Sequence, residues 1–433
     1  MRRTKGLVDN IDWMLVGLYS LLVLAGWLNI YAAVYNEEFG SIFDTTQRYG
    51  KQLLWIGTAV VLATIILLID ERFFSTFGYL IYGIILLLLV VVIFIGAETK
   101  GATSWFAIGG FKIQPSEFSK FAANLALAKY LSTLNIKLRE LKTKVIAAII
   151  IGLPAVLILL QNDTGSALVY GAFVLVLYRE GLSGSFLLIG VVTAFLFVMT
   201  LIFQNDLYQL PFDLTLSGGT MLVVVIFLLL ALIYYFNQKK KKILILLSAI
   251  FIASVGLIKS VDYVFSNVLE AHQSKRINVM LGLESDPRGA GYNVNQSLIA
   301  IGSGGFAGKG YLQGTQTKYD FVPEQSTDFI FCTIGEEWGF IGSFFVIALF
   351  MALLLRILFL CARQRSSFAR IYGYGVAAIL FFHFTINIGM TIGLAPVIGI
   401  PLPFFSYGGS SLWAFTILLF VFIKMDADRL EVL

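Results

Sequence analysis

The sequence predicts an all-α, polytopic transmembrane helical bundle of about 10–12 spans with one large extracytoplasmic loop. Composition is the first observation behind this prediction. Of the 433 residues, 58% are hydrophobic and only 13% are charged, and the mean hydropathy is +0.86, whereas a soluble domain is about 45–50% apolar and about 25% charged. The second observation is a series of apolar runs long enough to cross a bilayer as helices. The third is the placement of lysine and arginine on alternate loops.

About 12 runs have the length of a helical span, and none shows the alternation that is typical of a membrane barrel strand. The run that starts near Trp13 is too long for a signal-peptide core and is predicted to be the first span. The run at 329–360 is long for one span, so its first part is expected to be an angled or partly exposed helix. In chain order the runs lie near 13–34, 53–70, 77–96, 117–133, 145–161, 165–180, 185–203, 217–236, 243–259, 329–360, 371–394 and 409–424.

Basic residues concentrate on every second loop, and this placement predicts the orientation of the chain. If the N-terminus is cytoplasmic, all of these loops are cytoplasmic, as the positive-inside rule requires. The cytoplasmic set is Arg72, Lys137, Arg139, Lys142, Lys144, Arg179, Lys239, Lys240, Lys241, Lys242, Arg363, Arg365 and Arg370. Both termini are therefore expected to be cytoplasmic, with the loops 97–116, 260–328 and 395–408 on the opposite face. The formal net charge of +5 reflects these topology signals, so no nucleic-acid partner is predicted.

Polar side chains gather at four places near that opposite face, where a charge beside a membrane span usually lines a cavity or meets a partner. The first place follows Pro115, which suits the first turn of a helix. Glu117, Lys120 and Asn124 are spaced i, i+3 and i+7, so they share one helical face. The structural alternative is an ion pair that only packs two helices together.

The second and third places are a short turn and the long loop. Asp163 lies in the turn between two spans, and its alternative role is to cap the helix that follows. The long loop carries Arg276, Asp286 and a glycine-rich stretch, 302–310, that includes Lys309. Glycine lets the backbone approach a ligand closely, but the Lys-Ser/Thr ending of a P-loop is absent. A flexible turn, with Asp286 as a turn former before proline, is the alternative interpretation.

The fourth place combines Asp328 with a later stretch, 401–411, that is rich in helix breakers. Such a backbone is tolerated at membrane depth only when it is buried in protein or lines a wet cavity. The structural alternative is that Ser326 or Thr327 caps the next helix and Asp328 lies in its first turn. Together, carboxylates and cations beside lipid suit a phosphate-bearing lipid substrate, because cations hold phosphates and a carboxylate can move a proton.

Histidine and cysteine are scarce in the sequence. His272 and His383 are isolated from each other, and no HExxH motif or Ser-His-Asp arrangement is present. Cys332 and Cys361 lie near or within apolar segments, so neither a disulfide framework nor a thiol metal site is predicted.

The motifs at these four places, in this order, resemble the SEDS family of shape, elongation, division and sporulation proteins. They are Lys100-Gly101-Ala102 with Trp105, Gln114-Pro115-Ser116-Glu117 with Lys120, Gln161-Asn162-Asp163, Asp286-Pro287 with Gly289, Gly291 and Tyr292, Gln296-Ser297, Gly308-Lys309-Gly310, Gly314-Thr315-Gln316, Phe321-Val322-Pro323-Glu324, Thr327-Asp328-Phe329, Glu336-Glu337, Asn387-Ile388-Gly389 and Pro403-Phe404-Phe405-Ser406-Tyr407-Gly408-Gly409. The match covers most of the chain and is closer to the rod-shape branch than to the division branch. The family usually has ten spans, so an extra helical hairpin is expected at about 204–259, as two spans or one re-entrant segment of a single domain, 1–433.

The resemblance implies a peptidoglycan glycosyltransferase of the bacterial plasma membrane. Such enzymes join lipid II units into β-1,4 glycan strands during cell-wall elongation and cell-shape maintenance, with undecaprenyl pyrophosphate as the leaving group. Asp286 matches the family's catalytic aspartate and is expected to be the base for the sugar hydroxyl. Cations at Lys120, Arg276 and Lys309 are expected to offset charge on the departing pyrophosphate.

The remaining site candidates have less specific roles. Glu117 is expected to orient Lys120 or to bind a cation, and Trp105, Asp163 and Asp328 are further candidates for substrate binding. Carboxylate and pyrophosphate oxygens are ligands for magnesium or manganese, but no ligand spacing in the sequence decides whether such an ion takes part.

The resemblance also implies a partner and leaves two rival functions. The family works with a class B penicillin-binding protein, a transpeptidase that crosslinks the nascent glycan. One rival is a lipid II flippase, which needs polar groups through the full depth of the membrane, whereas here they crowd one boundary. The other rival is a noncatalytic scaffold of the elongation complex, which would tolerate loss of Asp286.

Overall fold

A computed structural model of the chain describes residues 10–35, 41–99, 102–108, 111–134, 136–203, 207–210, 214–236, 241–267, 290–319 and 321–429. These residues fall into two compact units. The first combines Met1–Leu182 with Tyr292–Leu433, and the second is Ser183–Gly291.

The first unit is a bundle of helices joined by short connections. It contains α1 (Trp13–Ala33), α2 (Arg48–Leu68), α3 (Glu71–Ile95), α4 (Pro115–Leu131), α5 (Leu141–Leu159), α6 (Thr164–Leu168), α7 (Phe173–Arg179), α11 (Ala290–Gly304), α12 (Thr315–Lys318), α13 (Ile330–Glu337), α14 (Gly339–Ala362), α15 (Ser367–Thr391) and α16 (Gly409–Ala427). A 3₁₀ turn, Val169–Ala172, joins α6 to α7.

The second unit contains three long apolar helices that pack against one another. They are α8 (Gly184–Phe203), α9 (Gly218–Phe236) and α10 (Lys241–Asn267). The extra hairpin that the sequence predicts at 204–259 is therefore two separate helices. Both α9 and the 241–261 part of α10 are long and apolar enough to span a membrane.

The predicted fold class is confirmed. Each of the apolar runs in the sequence coincides with helical structure, and within the described residues nine helices are long and apolar enough to cross a membrane. Helix α4 falls outside that set because it has only 17 residues, and because Glu117, Lys120 and Asn124 interrupt its apolar surface. The chain is an integral membrane protein.

The run at 329–360 divides into two helices at Trp338 rather than forming one long span. Its first part, α13, is buried along its whole length, so of the two expected alternatives the partly exposed helix is wrong and the angled helix stays a prediction. The reason is packing, since α13 lies against α1 and α14.

Short strands occur in connecting segments of the described chain. In the first unit, β1 (Ala97–Thr99), β2 (Ala102–Ile108) and β3 (Phe111–Ile113) form an antiparallel sheet of order β1-β2-β3. It leads directly into α4, which begins at Pro115. In the second unit, β4 (Leu207–Leu210) pairs with β5 (Leu214–Ser217).

Burial separates a central set of helices from a peripheral set. In α15 and α16, 72% and 83% of the most apolar stretch is buried, whereas in α2 and α3 the values are 22% and 17%. Helix α4 is buried almost without interruption from Pro115 to Ala128, and its small residues let neighbouring helices approach closely. The polar residues of α4 therefore lie in the best-protected part of the bundle.

Ion pairs fasten the end of the bundle where α16 finishes. Arg356 donates two hydrogen bonds to Asp12, at 3.2 and 2.5 Å, and Arg363 pairs with the buried Asp426. Burial works to raise the pKa of Asp12, but the hydrogen bonds from Arg356 and from the Leu15 N–H outweigh it, so the pKa lies below its usual range. These contacts join α1, α14 and α16 far from the start of α4.

Gly26 lets α1 approach the chain at Phe405. A Cβ at position 26 would lie 2.6 Å from the Phe405 Cα and 2.7 Å from its carbonyl oxygen. We expect Gly26→Ala to lower the free energy of unfolding by about 1–3 kcal/mol, the usual cost of overpacking. Thermal unfolding in detergent measures the change.

Gly17 provides the matched control on the same helix. Nothing lies within 4 Å of a Cβ at this position, so Gly17→Ala should be neutral or slightly stabilising because alanine favours helix over glycine. Equal melting temperatures for the two variants would contradict the assigned close approach.

Candidate functional site

Hydrogen bonds join the residues before helix α4 to the first turn of α16. The Gln114 N–H donates to Ser410 Oγ at 3.3 Å, and Ser410 Oγ donates to the Lys112 carbonyl at 3.0 Å. Pro115 occupies the first turn, as the sequence predicts. The start of α4 is thereby held beside the start of α16.

Glu117 and Lys120 form a buried ion pair within α4. Lys120 Nζ lies 2.8 Å from Glu117 Oε2, and the two side chains are 2% and 4% exposed. The pair therefore spans one turn of a single helix instead of joining two helices. Asn124, one turn further on, donates to the Tyr372 carbonyl of α15 at 2.9 Å, which confirms that this polar face of α4 is turned toward α15.

Lys120 also contacts His383 of α15. Lys120 Nζ lies 3.1 Å from His383 Nε2, and His383 Nδ1 lies 3.2 Å from the Pro401 carbonyl. The ammonium lies 5.2 Å from the ring centroid of Phe415, which is cation–π distance. His383 is fully buried and meets the Phe415 ring edge to face.

Asp163 caps α6 and also reaches the start of α4. Its Oδ1 accepts from the Ser166 N–H at 3.0 Å, so the capping interpretation is confirmed. Its Oδ2 accepts from Gln114 Nε2 at 2.8 Å. One carboxylate thus fixes α6 and α4 relative to each other beside the ion pair.

Asp328 belongs to a tight segment that precedes α13. The structural alternative, in which Ser326 or Thr327 caps this helix, is wrong: α13 begins at Ile330, and Phe329 occupies the cap position without a side-chain hydrogen bond. The Phe329 N–H instead donates to the Glu324 carbonyl at 3.2 Å. This turn delays the helix, and Ser326 Oγ accepts from Arg48 Nη1 at 2.6 Å.

The helix-breaking segment near Pro401 joins Asp328 to His383. Asn387 Nδ2 donates to the Asp328 carbonyl at 2.8 Å and to the Ile400 carbonyl at 2.7 Å. Gly399 has a φ of +77°, and a Cβ there would lie 3.3 Å from Asp328 Oδ2. Residues 402–406 of the segment are buried in protein, as a non-helical backbone at membrane depth requires.

Lys309 forms a separate polar cluster with α13. Its Nζ lies 2.6 Å from Glu336 Oε1, and the backbone N–H groups of Gln316 and Thr317 donate to the same carboxylate at 2.8 and 2.9 Å. Burial works to raise the pKa of Glu336, but these hydrogen bonds outweigh it and hold the pKa below its usual range. In this structure the ion pair of Lys309 with Glu336 holds the end of the glycine-rich stretch against α13.

The other predicted site residues lie on strands or beyond the described chain. Trp105 is half-buried on β2, opposite Ala97 of β1, and the neighbouring Thr103 N–H donates to the Gln161 carbonyl at 3.2 Å. Arg276 and Asp286 lie outside the described residues, so their predicted roles stay predictions. Among the side chains that are described, no three His, Cys, Asp or Glu lie close enough to hold a metal ion.

The structure places Asp163 against the residues at the start of α4 and brings Lys120 into contact with His383, which the sequence analysis left as an isolated histidine. A usable signal was present, because His383 precedes Asn387 by four residues. Residues at i and i+4 share a helical face, and Asn387 belongs to one of the motifs that carry the family resemblance.

Comparison with known families gives one match along almost the whole chain. The model of the cell cycle protein family FTSW_RODA_SPOVE matches residues 12–212 and 213–430. The peptidoglycan glycosyltransferase RodA of Treponema pallidum (strain Nichols) is 35% identical over 438 residues, 99% of this chain and 100% of the relative. The peptidoglycan glycosyltransferase MrdB of Escherichia coli (strain K12) is 33% identical over 393 residues, 90% of this chain and 88% of the relative.

Solved structures support the same fold. A chain from a peptidoglycan synthase complex that coordinates polymerization and crosslinking is 28% identical, with a TM-score of 0.68, over 97% of this chain and 98% of that one. The rod shape determining protein RodA of Thermus thermophilus is 25% identical, with a TM-score of 0.60, over 97% of each chain.

The buried ion pair predicts strong coupling between its two members. Lys120→Met leaves the Glu117 carboxylate buried without its cation, so we expect the free energy of unfolding to fall by about 3–5 kcal/mol. The double variant Glu117→Gln/Lys120→Met removes both charges and should recover most of that loss. Thermal unfolding of both variants in detergent measures the coupling. A double variant no more stable than Lys120→Met would show that the pair does not act as a unit.

Glu337 predicts a pH-dependent stability. Burial, with a smaller contribution from the charge of Glu336, raises its pKa to about 7. An acid whose folded pKa is raised contributes stability below its unfolded pKa and loses it as the pH rises through the folded value. The melting temperature should therefore fall between about pH 4.5 and pH 7, and Glu337→Gln should flatten that fall. An unchanged pH slope in this variant would assign the effect to another group.

Proposed function

The chain belongs to the FtsW/RodA/SpoVE family of cell cycle proteins, and from this premise we propose that it is a peptidoglycan glycosyltransferase that polymerises lipid II. The observation that carries the proposal is the match along the whole chain to relatives of that name. The buried charges at the start of α4 agree with it, because charged residues inside a membrane bundle usually serve function.

The reaction needs a base and a stabiliser for the leaving group. A hydroxyl of the acceptor sugar attacks C1 of the donor sugar, and its proton passes to a carboxylate. The bond from C1 to the pyrophosphate oxygen breaks, and undecaprenyl pyrophosphate leaves with the electron pair. We assign the role of the base to Asp286. Nearby cations are assigned the role of stabilising the negative charge that develops on the departing pyrophosphate.

Lys120 suits the role of a fixed positive charge. Its ammonium is enclosed by protein, where a charge acts across a low dielectric and is weakly screened. Glu117 and His383 hold it in place at 2.8 and 3.1 Å. Such a preorganised charge need not reorganise as the leaving group develops its own. Arg276 and Lys309 are the cations proposed to contact the phosphates directly.

The orientation and the partner belong to the same proposal. The termini are assigned to the cytoplasm, and the start of α4 to the periplasmic face, on the strength of the basic loops. A class B penicillin-binding protein is the proposed transpeptidase partner. The similarity to a chain from a synthase complex that couples polymerization to crosslinking supports it.

The decisive experiment measures glycan chains made from labelled lipid II in detergent by the purified protein with its partner. We expect polymer from the native chain and none from Asp286→Ala, because the acceptor hydroxyl then lacks its base. Glu284→Ala is the matched control, since it removes the same charge from the same loop and should leave polymerisation intact. Equal polymer from Asp286→Ala and the native chain would discard the base assignment.

The same assay separates the enzyme from its rivals. Lipid II in detergent needs no translocation, so a flippase or a noncatalytic scaffold would yield no glycan from the native chain. Addition of EDTA tests the role of a divalent cation, because magnesium or manganese would be withdrawn from pyrophosphate and carboxylate oxygens. Loss of polymer with EDTA and its return with magnesium would assign such an ion to the reaction.

A further inference from the structure

His383 occupies a position that leaves little freedom in how its two ring nitrogens bond. The ring is fully buried in α15. Nδ1 lies 3.2 Å from the Pro401 carbonyl oxygen, and Nε2 lies 3.1 Å from Lys120 Nζ. Both nitrogens therefore have a protein partner at hydrogen-bond distance.

The chemistry of these two partners determines which nitrogen carries the proton. A carbonyl oxygen only accepts, so Nδ1 must be protonated and donate to Pro401. A lysine ammonium only donates, so Nε2 must present its lone pair to Lys120. The ring is therefore neutral, with its proton on Nδ1. The hydrogen bond from Nδ1 to the Pro401 carbonyl oxygen fixes this tautomer.

We propose that His383 is a positioning residue for Lys120, acting as a neutral acceptor that directs the ammonium without cancelling its charge. This inference rests on the proposed function, in which Lys120 is a fixed charge near the leaving group. Glu117 alone would hold the ammonium by one hydrogen bond at 2.8 Å. The hydrogen bond to His383 constrains the ammonium in a second direction. Because His383 also contacts the Pro401 carbonyl, it links the position of the cation to the segment that contains Pro401.

A neutral acceptor suits this position better than a second carboxylate. A second negative charge would over-compensate Lys120 and weaken its attraction for a departing pyrophosphate. A histidine held by Pro401 supplies the hydrogen bond and no net charge. Phe415 completes the enclosure, since its ring contacts both Lys120 and His383.

Two substitutions separate the roles of the two nitrogens. In His383→Asn, the side-chain amide reaches the position of Nδ1 and can still donate to Pro401, but nothing replaces Nε2. In His383→Gln, the longer side chain brings an amide oxygen near the position of Nε2, where it can accept from Lys120. Each variant therefore keeps one of the two hydrogen bonds of His383 and loses the other: His383→Asn keeps the bond to Pro401, and His383→Gln keeps the bond to Lys120.

The experiment compares lipid II polymerisation by the full chain with its partner and the two variants. We expect His383→Asn to lower kcat by about tenfold or more, the usual effect of losing a hydrogen bond to a charged group. KM should stay unchanged, because the positioned charge acts on the transition state. His383→Gln should stay within about threefold of the native rate, as a rescued hydrogen bond predicts. Melting temperatures of both variants check that they fold.

Nuclear magnetic resonance of the unaltered site gives an independent readout. The chain contains only two histidines, His272 and His383, so ¹⁵N-histidine labelling of the His272→Gln variant leaves one signal pair. We expect the shifts of a neutral ring protonated on Nδ1 at pH 7. A proton on Nε2, or a ring protonated at both nitrogens, would overturn the proposal even if neither variant folds.

The kinetic outcomes are equally decisive. A native kcat in His383→Asn, or equal losses in two folded variants, would reject the positioning role. Failure of the native chain to polymerise lipid II would instead reject the proposed function and leave the resonance result standing.

Discussion

The positive charge of Lys120, buried inside a membrane bundle, is the constraint around which the described structure is arranged. An ammonium without partners is costly in such surroundings. Glu117 contributes an ion pair from one turn earlier on α4, His383 contributes an acceptor from α15, and Phe415 contributes an aromatic face from α16. Among the long helices of the first unit, these three are the most deeply buried. The packing of these three helices against one another is therefore also what supplies the charge of Lys120 with its partners.

The helix-breaking segment near Pro401 depends on the same face of α15. His383 and Asn387 donate to the carbonyls of Pro401 and Ile400, which have no helical partner. Ser406 Oγ adds a bond to the Thr327 carbonyl at 2.6 Å. Because His383 serves both the segment and Lys120, a shift of the segment would change the position of the charge. The non-helical segment near Pro401 is thus coupled to the Glu117–Lys120 ion pair through the His383 ring.

The sequence predicts what depends on local pattern and misses what depends on distant contacts. Apolar runs of sufficient length gave the helices, and the i, i+3 spacing gave the pair of Glu117 and Lys120. His383 was missed because it lies 263 residues beyond Lys120; its i, i+4 spacing from Asn387 indicates a shared helical face but says nothing of Lys120. The alternative of a cap at Ser326 or Thr327 fails because α13 begins only at Ile330, and Ser326 instead accepts a hydrogen bond from the distant Arg48. Arg276 and Asp286 remain predictions from sequence alone.

The two lysines proposed to act on the pyrophosphate differ in how freely they can move. Lys309 is 26% exposed, and its partner Glu336 also accepts from Thr315 and from two backbone N–H groups. If Lys309 turned toward a phosphate, Glu336 would keep these three hydrogen bonds. The loss of stabilisation of its carboxylate would therefore be small. Lys120 is 2% exposed. If Lys120 moved away, the Glu117 carboxylate would be left as an unpaired buried charge, which is costly. A site built this way combines one cation that can follow the leaving group with one that stays fixed, and the fixed cation is the one that can be preorganised for the transition state.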